Sequence, residues 1–222
     1  MLTSDFLQFL HELSQNNNRD WFTKNKRRFE STVKKPFEMF VAALIERIKD
    51  FEPGFQTTVK DSIFRLHRDT RFSNDKTPYK THMSAVFTSQ GRKTMDEPGY
   101  YLQVSFGSLS LGGGAYFLEK EPLTNVRQAI ADNPEAFRKL IEAPAFIDKF
   151  GEIKGEKNKI LPAEFKQAAV AEPFLFNKQF YFMSDLDPEL AIGSDAVGRI
   201  AGYFEAGKPV NDFFRKPLGG ST

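Results

Sequence analysis

None of the 222 residues is cysteine, which removes disulfide scaffolds, zinc ribbons, iron–sulfur clusters and thiol nucleophiles together. Nor does any segment approach ~20 uninterrupted apolar residues, so no membrane-spanning helix is expected. The first residues, Met1-Leu2-Thr3-Ser4-Asp5, carry no basic stretch ahead of an apolar one, and a cytoplasmic location is the expectation. Motifs are missing as well. There is no dinucleotide fingerprint, no phosphate loop ending in Gly-Lys-Ser/Thr and no Gly-x-Ser-x-Gly elbow, so none of those three chemistries can be argued. Neither charge dominates, with 31 Lys plus Arg against 29 Asp plus Glu. What is abundant is phenylalanine: 24 Phe with six Tyr and one Trp supply enough apolar surface for a sizeable core and rule out global disorder. One domain over residues 1–222 is expected at this length.

The first fifty residues read as helices. Ser4 is placed to cap a helix whose Phe6, Leu7, Leu10 and Leu13 recur at helical spacing, and Asn16-Asn17-Asn18 interrupts it. Asn18 is placed to cap a second helix to about Val33, and Pro36 suits the first turn of a third, ended by Pro53-Gly54. Thereafter the period changes to two. Strands are expected over 62–72, 81–88, 99–106 and 108–117, joined by spacers too short for parallel crossovers and therefore antiparallel. The 62–72 stretch could also be a helix with Arg65, Arg68 and Arg71 along one side, but Ile63, Phe64, Thr70 and Phe72 favour the strand. Gly112-Gly113-Gly114 marks a bulge or a close backbone approach. Helices restart at Pro122 and at Asn133-Pro134, residues 151–162 read as a basic loop or hairpin, and 188–206 reads as a helix with Gly207 just beyond its end. The fold class is α+β: N-terminal helices, a central antiparallel sheet and C-terminal helices.

Charge is unevenly spread. Residues 19–35 hold seven Lys or Arg and two acids, and residues 60–93 hold eight and three, so a near-neutral total conceals two basic stretches. The first falls on exposed-looking helix positions and reads as a solvated face. In the second, Arg65, Arg68 and Arg71 recur at spacing three, with His67, Asp69, Asp75, Lys76, Tyr79, Lys80 and His82 close by. On a regular strand Arg65 and Arg71 share a face with His67 and Asp69, while Arg68 points with Phe64 and Leu66 toward the core and needs an acid or carbonyl partner there. Guanidinium is suited to bidentate capture of phosphate or carboxylate. Two readings of the cluster stand side by side: an anion site, and an arginine–aspartate network with Asp69 and Asp75 as its acids. His67, Asp69 and His82 have metal-ligand chemistry, but the surrounding arginines repel a divalent cation and no metal is expected.

The runs Asn16 to Phe22, Phe64 to His82, Gly99-Tyr100-Tyr101 and Gly112-Gly113-Gly114 followed by Arg127 resemble the bacterial family catalogued as domain of unknown function 2461, over almost the whole chain. Thr70 stands where that pattern favours an aliphatic residue. The resemblance implies a soluble single-domain protein and brings no activity, cofactor or catalytic residue with it.

The leading functional expectation is a pocket beside the sheet that takes a phosphate- or carboxylate-bearing small molecule through Arg65, Arg68, Arg71, Lys76 and Lys80, without a cofactor. Asp69, Tyr79 and His82 are the candidate proton-transfer groups should the pocket be catalytic. The alternative is a non-enzymatic adaptor, or a protein that contacts nucleic acid through both basic stretches.

Overall fold

In the computed structural model the chain is described at residues 1–89, 91–94 and 96–219. Helices α1 (Ser4–Gln15) and α2 (Arg19–Phe29) meet at Asn16-Asn17-Asn18. Asn18 caps α2, its side chain accepting the backbone N–H of Trp21 at 2.9 Å. For α1 the cap position falls on Thr3 rather than Ser4, and no side-chain bond is made there. The second helix does not simply run to Val33. It widens into a π turn over Glu30–Lys34 and continues as α3 (Lys35–Phe51), because Pro36 cannot donate a hydrogen bond and its ring crowds the preceding turn.

A single turn of helix, α4 (Val59–Ser62), leads to the sheet. Its strands are β1 (His82–Phe87), β2 (Gly99–Ser105), β3 (Leu109–Ala115) and β4 (Phe180–Leu186), antiparallel and in the order β1-β2-β3-β4. Three of the four expected strands are present as β1, β2 and β3. The expected strand at 62–72 is corrected: Ile63 and His67 make only isolated antiparallel bridges, to Ala85 and Tyr79, and residues from Asp69 onward leave the sheet.

Contacts divide the chain into two compact units. The first comprises Met1–Lys93, Tyr101–Leu111 and Asp185–Gly202. Its interior is aromatic: Phe6 stacks on Phe37, and Phe9 meets both Trp21 and Phe29. The stripe Phe37, Phe40, Val41, Leu44, Ile45 and Ile48 of α3 is buried along its length, as its 3.6-residue period requires.

The second unit comprises Thr94–Tyr100, Gly112–Ser184 and Tyr203–Thr222. Helices α5 (Lys120–Asp132), α6 (Pro134–Ile141) and α7 (Pro144–Phe150) contribute Val126, Ile130, Phe137, Phe146 and Phe150 to a core shared with Phe180, Phe182 and Phe214. The triple glycine is a close backbone approach, since a Cβ on Gly112 would strike the Phe182 carbonyl and one on Gly114, at φ +104°, the Phe180 carbonyl. The last helix, α8 (Ala196–Arg215), runs through Gly207 and Pro209 instead of ending there. Packing overrides the local stop signal, because Gly207 lies against the Phe182 ring where a Cβ would come within 2.6 Å. No helix among the described residues is long and apolar enough to cross a membrane.

Candidate functional site

The basic motif straddles a short antiparallel pairing and a loop, all in the first unit. The Phe64 N–H donates to the Ser84 carbonyl at 3.0 Å, Lys80 N–H to Leu66 at 2.8 Å and Arg68 N–H to Pro78 at 3.0 Å. Leu66 is buried, Phe64 half-buried and Arg65 exposed. Beyond Arg68 the side chains take over from the ladder. Asp69 accepts the backbone N–H of Arg71 at 3.3 Å, Asp75 accepts that of Thr77 at 2.9 Å, and Lys76 Nζ donates back to the Thr70 carbonyl at 2.9 Å. Such aspartate turns compete with strand pairing, which is why the alternation through Phe72 does not produce a strand. Phe72 is left 95% exposed.

Asn17, at the corner between α1 and α2, fixes the returning strand. Its Nδ2 donates to the Tyr79 carbonyl at 2.9 Å and its Oδ1 accepts the Tyr79 N–H at 3.1 Å, the two-way exchange that a neighbouring strand would make. The Tyr79 ring is buried, stacked on Phe22 at 4.2 Å with His67 edge-on at 5.0 Å. A cleft of about 540 Å³ results, its lining including Asn17, Arg68, Asp75, Tyr79, Lys80 and His82. It shares Asn17, Arg68 and Tyr79 with a second cleft of about 1010 Å³ that extends to Arg19, Thr23, His67 and Lys76.

Charge in the smaller cleft is only partly neutralised. Arg68 is paired with Asp75 and donates to Thr77 Oγ1 at 2.7 Å; Arg71 forks onto Asp69 at 3.0 and 2.7 Å. The Thr77 backbone N–H, followed by Arg68, holds the Asp75 carboxyl at about 2, and Arg71 holds that of Asp69 at about 2. His82 is pushed down to about 4, first by burial and then by Lys80 and Arg68, so it is neutral at pH 7. Burial, with Arg65 and Arg92, also lowers the pKa of Lys80. The Lys80 ammonium lies 5.1 Å from the centre of the Phe64 ring, and among the described residues no carboxylate pairs with it.

Arg68, Asp69, Tyr79, Lys80 and His82 therefore line one cleft and Lys76 the other, while Arg65 and Arg71 line neither. The three arginines do not converge. Asn17 and Ser14 belong to the smaller cleft without having been singled out from the sequence. Only the polar Asn16-Asn17-Asn18 break signalled Asn17, since its partner lies 62 residues away.

The family model described as "Conserved hypothetical protein (DUF2461)" matches residues 5–213. The chain belongs to this family. Searches of the curated proteins and of the solved structures returned no match. In this DUF2461 member the long central motif builds the aspartate-closed loop and the wall of the smaller cleft, and Asn17 ties that wall to the first two helices. Among the described residues no group of His, Asp and Glu is arranged to hold a metal ion.

Proposed function

We propose that this DUF2461 protein binds a phosphate- or carboxylate-bearing small molecule in the cleft beside β1, in the cytoplasm, with Lys80 and Arg68 as its cationic contacts. Arg65, Arg71 and Lys76 add positive field from outside the cleft. The observation that carries this reading is Lys80: a half-buried ammonium resting on an aromatic ring, with no carboxylate beside it among the described residues and with other cations near it. An anion placed there would relieve that repulsion and form a charge-assisted hydrogen bond. Of the proton-transfer candidates, His82 is neutral and lines the cleft, whereas Asp69 is committed to Arg71 and the Tyr79 ring to packing. The site thus supports binding more directly than catalysis.

Thermal unfolding in phosphate, against chloride at matched ionic strength, tests the reading. A ligand at ~100 times its dissociation constant adds ~2.7 kcal/mol, so the parent melts several degrees higher in phosphate and Lys80→Met does not. Equal melting in both salts would remove the proposal.

A second reading has its own observation. Phe72 is almost fully exposed with the Arg71 guanidinium 5.8 Å from its ring centre, an aromatic and cationic pair suited to an adaptor or to stacking on a nucleic-acid base. Binding to a single-stranded oligonucleotide that falls with salt and is lost in Phe72→Ala would favour it.

A further inference from the structure

One face of the sheet in the first unit is polar and only half-covered. Along β2, Tyr100, Leu102 and Val104 are buried, while Tyr101, Gln103 and Ser105 alternate onto the half-exposed side. Tyr101 bonds with Ser84 of β1 and donates its hydroxyl to Gln103 Oε1 at 3.0 Å. With Oε1 so occupied, the Gln103 Nε2 donors remain without a partner among the described residues. Across the turn, Ser105 N–H donates to the Ser108 carbonyl at 2.9 Å, a register that sets Gln103 opposite Ser110. The Ser110 hydroxyl in turn donates to Asp185 Oδ1 at 2.6 Å. Asp185 is exposed, and no cation pairs with its carboxylate among the described residues. At the opposite border Phe64 meets Tyr101 edge-on at 6.5 Å and carries Lys80 above its ring.

This strip has a cation at one border, a carboxylate and an amide donor at the other, and two aromatic rings between. Three inter-strand spacings separate β1 from β4, roughly 14 Å. An inorganic anion would engage Lys80 and leave Gln103 and Asp185 idle. A nucleic-acid strand would carry further phosphates toward the Asp185 carboxylate, which repels them. The two charges of a free amino acid lie too close together to reach both borders.

Building on the anion-site reading, we propose that the ligand is a phosphate ester of a polyhydroxylated body, that is, a sugar phosphate. Its phosphate sits at Lys80, and its ring lies against Phe64 and Tyr101. Its far hydroxyls donate to Asp185 and accept from Gln103.

Titration calorimetry on the full chain with ribose 5-phosphate, glucose 6-phosphate and inorganic phosphate tests this. The parent binds at least one sugar phosphate tenfold or more tightly than phosphate. Asp185→Ala loses that preference but keeps its affinity for phosphate, and Lys80→Met loses both. Asp185→Asn, which retains an acceptor for Ser110, guards against a folding defect in the alanine variant and weakens the sugar phosphate at least fivefold. Phosphate binding with no preference for either sugar phosphate overturns this inference and leaves the anion site standing, whereas absence of all binding overturns both. A preference unchanged in both Asp185 variants also overturns the assignment to this face.

Discussion

The arginines of the two units sit in opposite conditions. In the first unit Arg68 and Arg71 face acids that are themselves in water: the side chain of Asp75 is 53% exposed and that of Asp69 42%. In the second, Arg138 binds Glu172, whose side chain is 2% exposed, and Arg127 is buried with its guanidinium donating to the Asn177 carbonyl at 2.9 Å. Its Nε and the Asn177 Oδ1 are both without a hydrogen bond, and no carboxylate accompanies it among the described residues. Pairing in solvent stabilises little, whereas the same charges in the interior impose large desolvation costs of either sign. A dense cluster of arginines is therefore a poor guide to which arginine the fold depends on.

Four substitutions sharpen or break that contrast. Arg138→Ala leaves the buried Glu172 carboxylate without its cation, and urea unfolding should show a loss of about 3 kcal/mol, at the lower end for a buried pair because Arg138 itself is partly in water. A smaller effect is expected from His82. Its unfolded value lies near 6.5 and its folded value at about 4, so between those values the folded chain binds fewer protons than the unfolded one. Stability is then flat above pH 6.5 and falls as the pH drops toward 4, by about 2 kcal/mol after discounting for partial exposure. His82→Gln should flatten that window, while the losses from Asp69 and Asp75 enter only as the pH falls from 3.8 toward about 2.

Arg127→Met should raise stability by about 1 kcal/mol, since a buried cation without an acid gives way to an apolar chain of similar length, offset by the lost bond to Asn177. A loss of stability in that variant would break the contrast. Smallest of all, Arg68→Ala should leave the urea midpoint within error. A large loss there would show that the motif is a structural network after all, and would weaken the ligand reading with it.

Legibility in the sequence followed the range of the interactions. The i, i+3, i+4 stripe of Phe37, Phe40, Val41 and Leu44 and the alternation of Tyr100, Leu102 and Val104 are local patterns, and both became the expected elements. The strand at 62–72 was misjudged because Asp69 and Asp75 bind backbone amides two residues on, an effect that hydrophobic alternation does not register. Gly207 and Pro209 look like a helix end, and only the Phe182 ring, 25 residues away from the glycine, explains why they are not. In the site the charged members were visible individually. The partner of Arg68 had been named among the possible acids, but the strand-like role of the Asn17 amide depends on a chain reversal that no local pattern contains.

The π turn at Glu30–Lys34 acts as a length gauge between α2 and α3. It holds one residue more than a regular turn would, and each residue of a regular helix rotates the chain by about 100°. Deleting one residue there would regularise the helix and at the same time swing the Phe37, Phe40 and Leu44 stripe about a quarter turn off the core. The segment that looks least regular is therefore the one whose residue count the fold can least afford to change, and insertions or deletions in this part of the chain should be tolerated at Pro53-Gly54 rather than before Pro36.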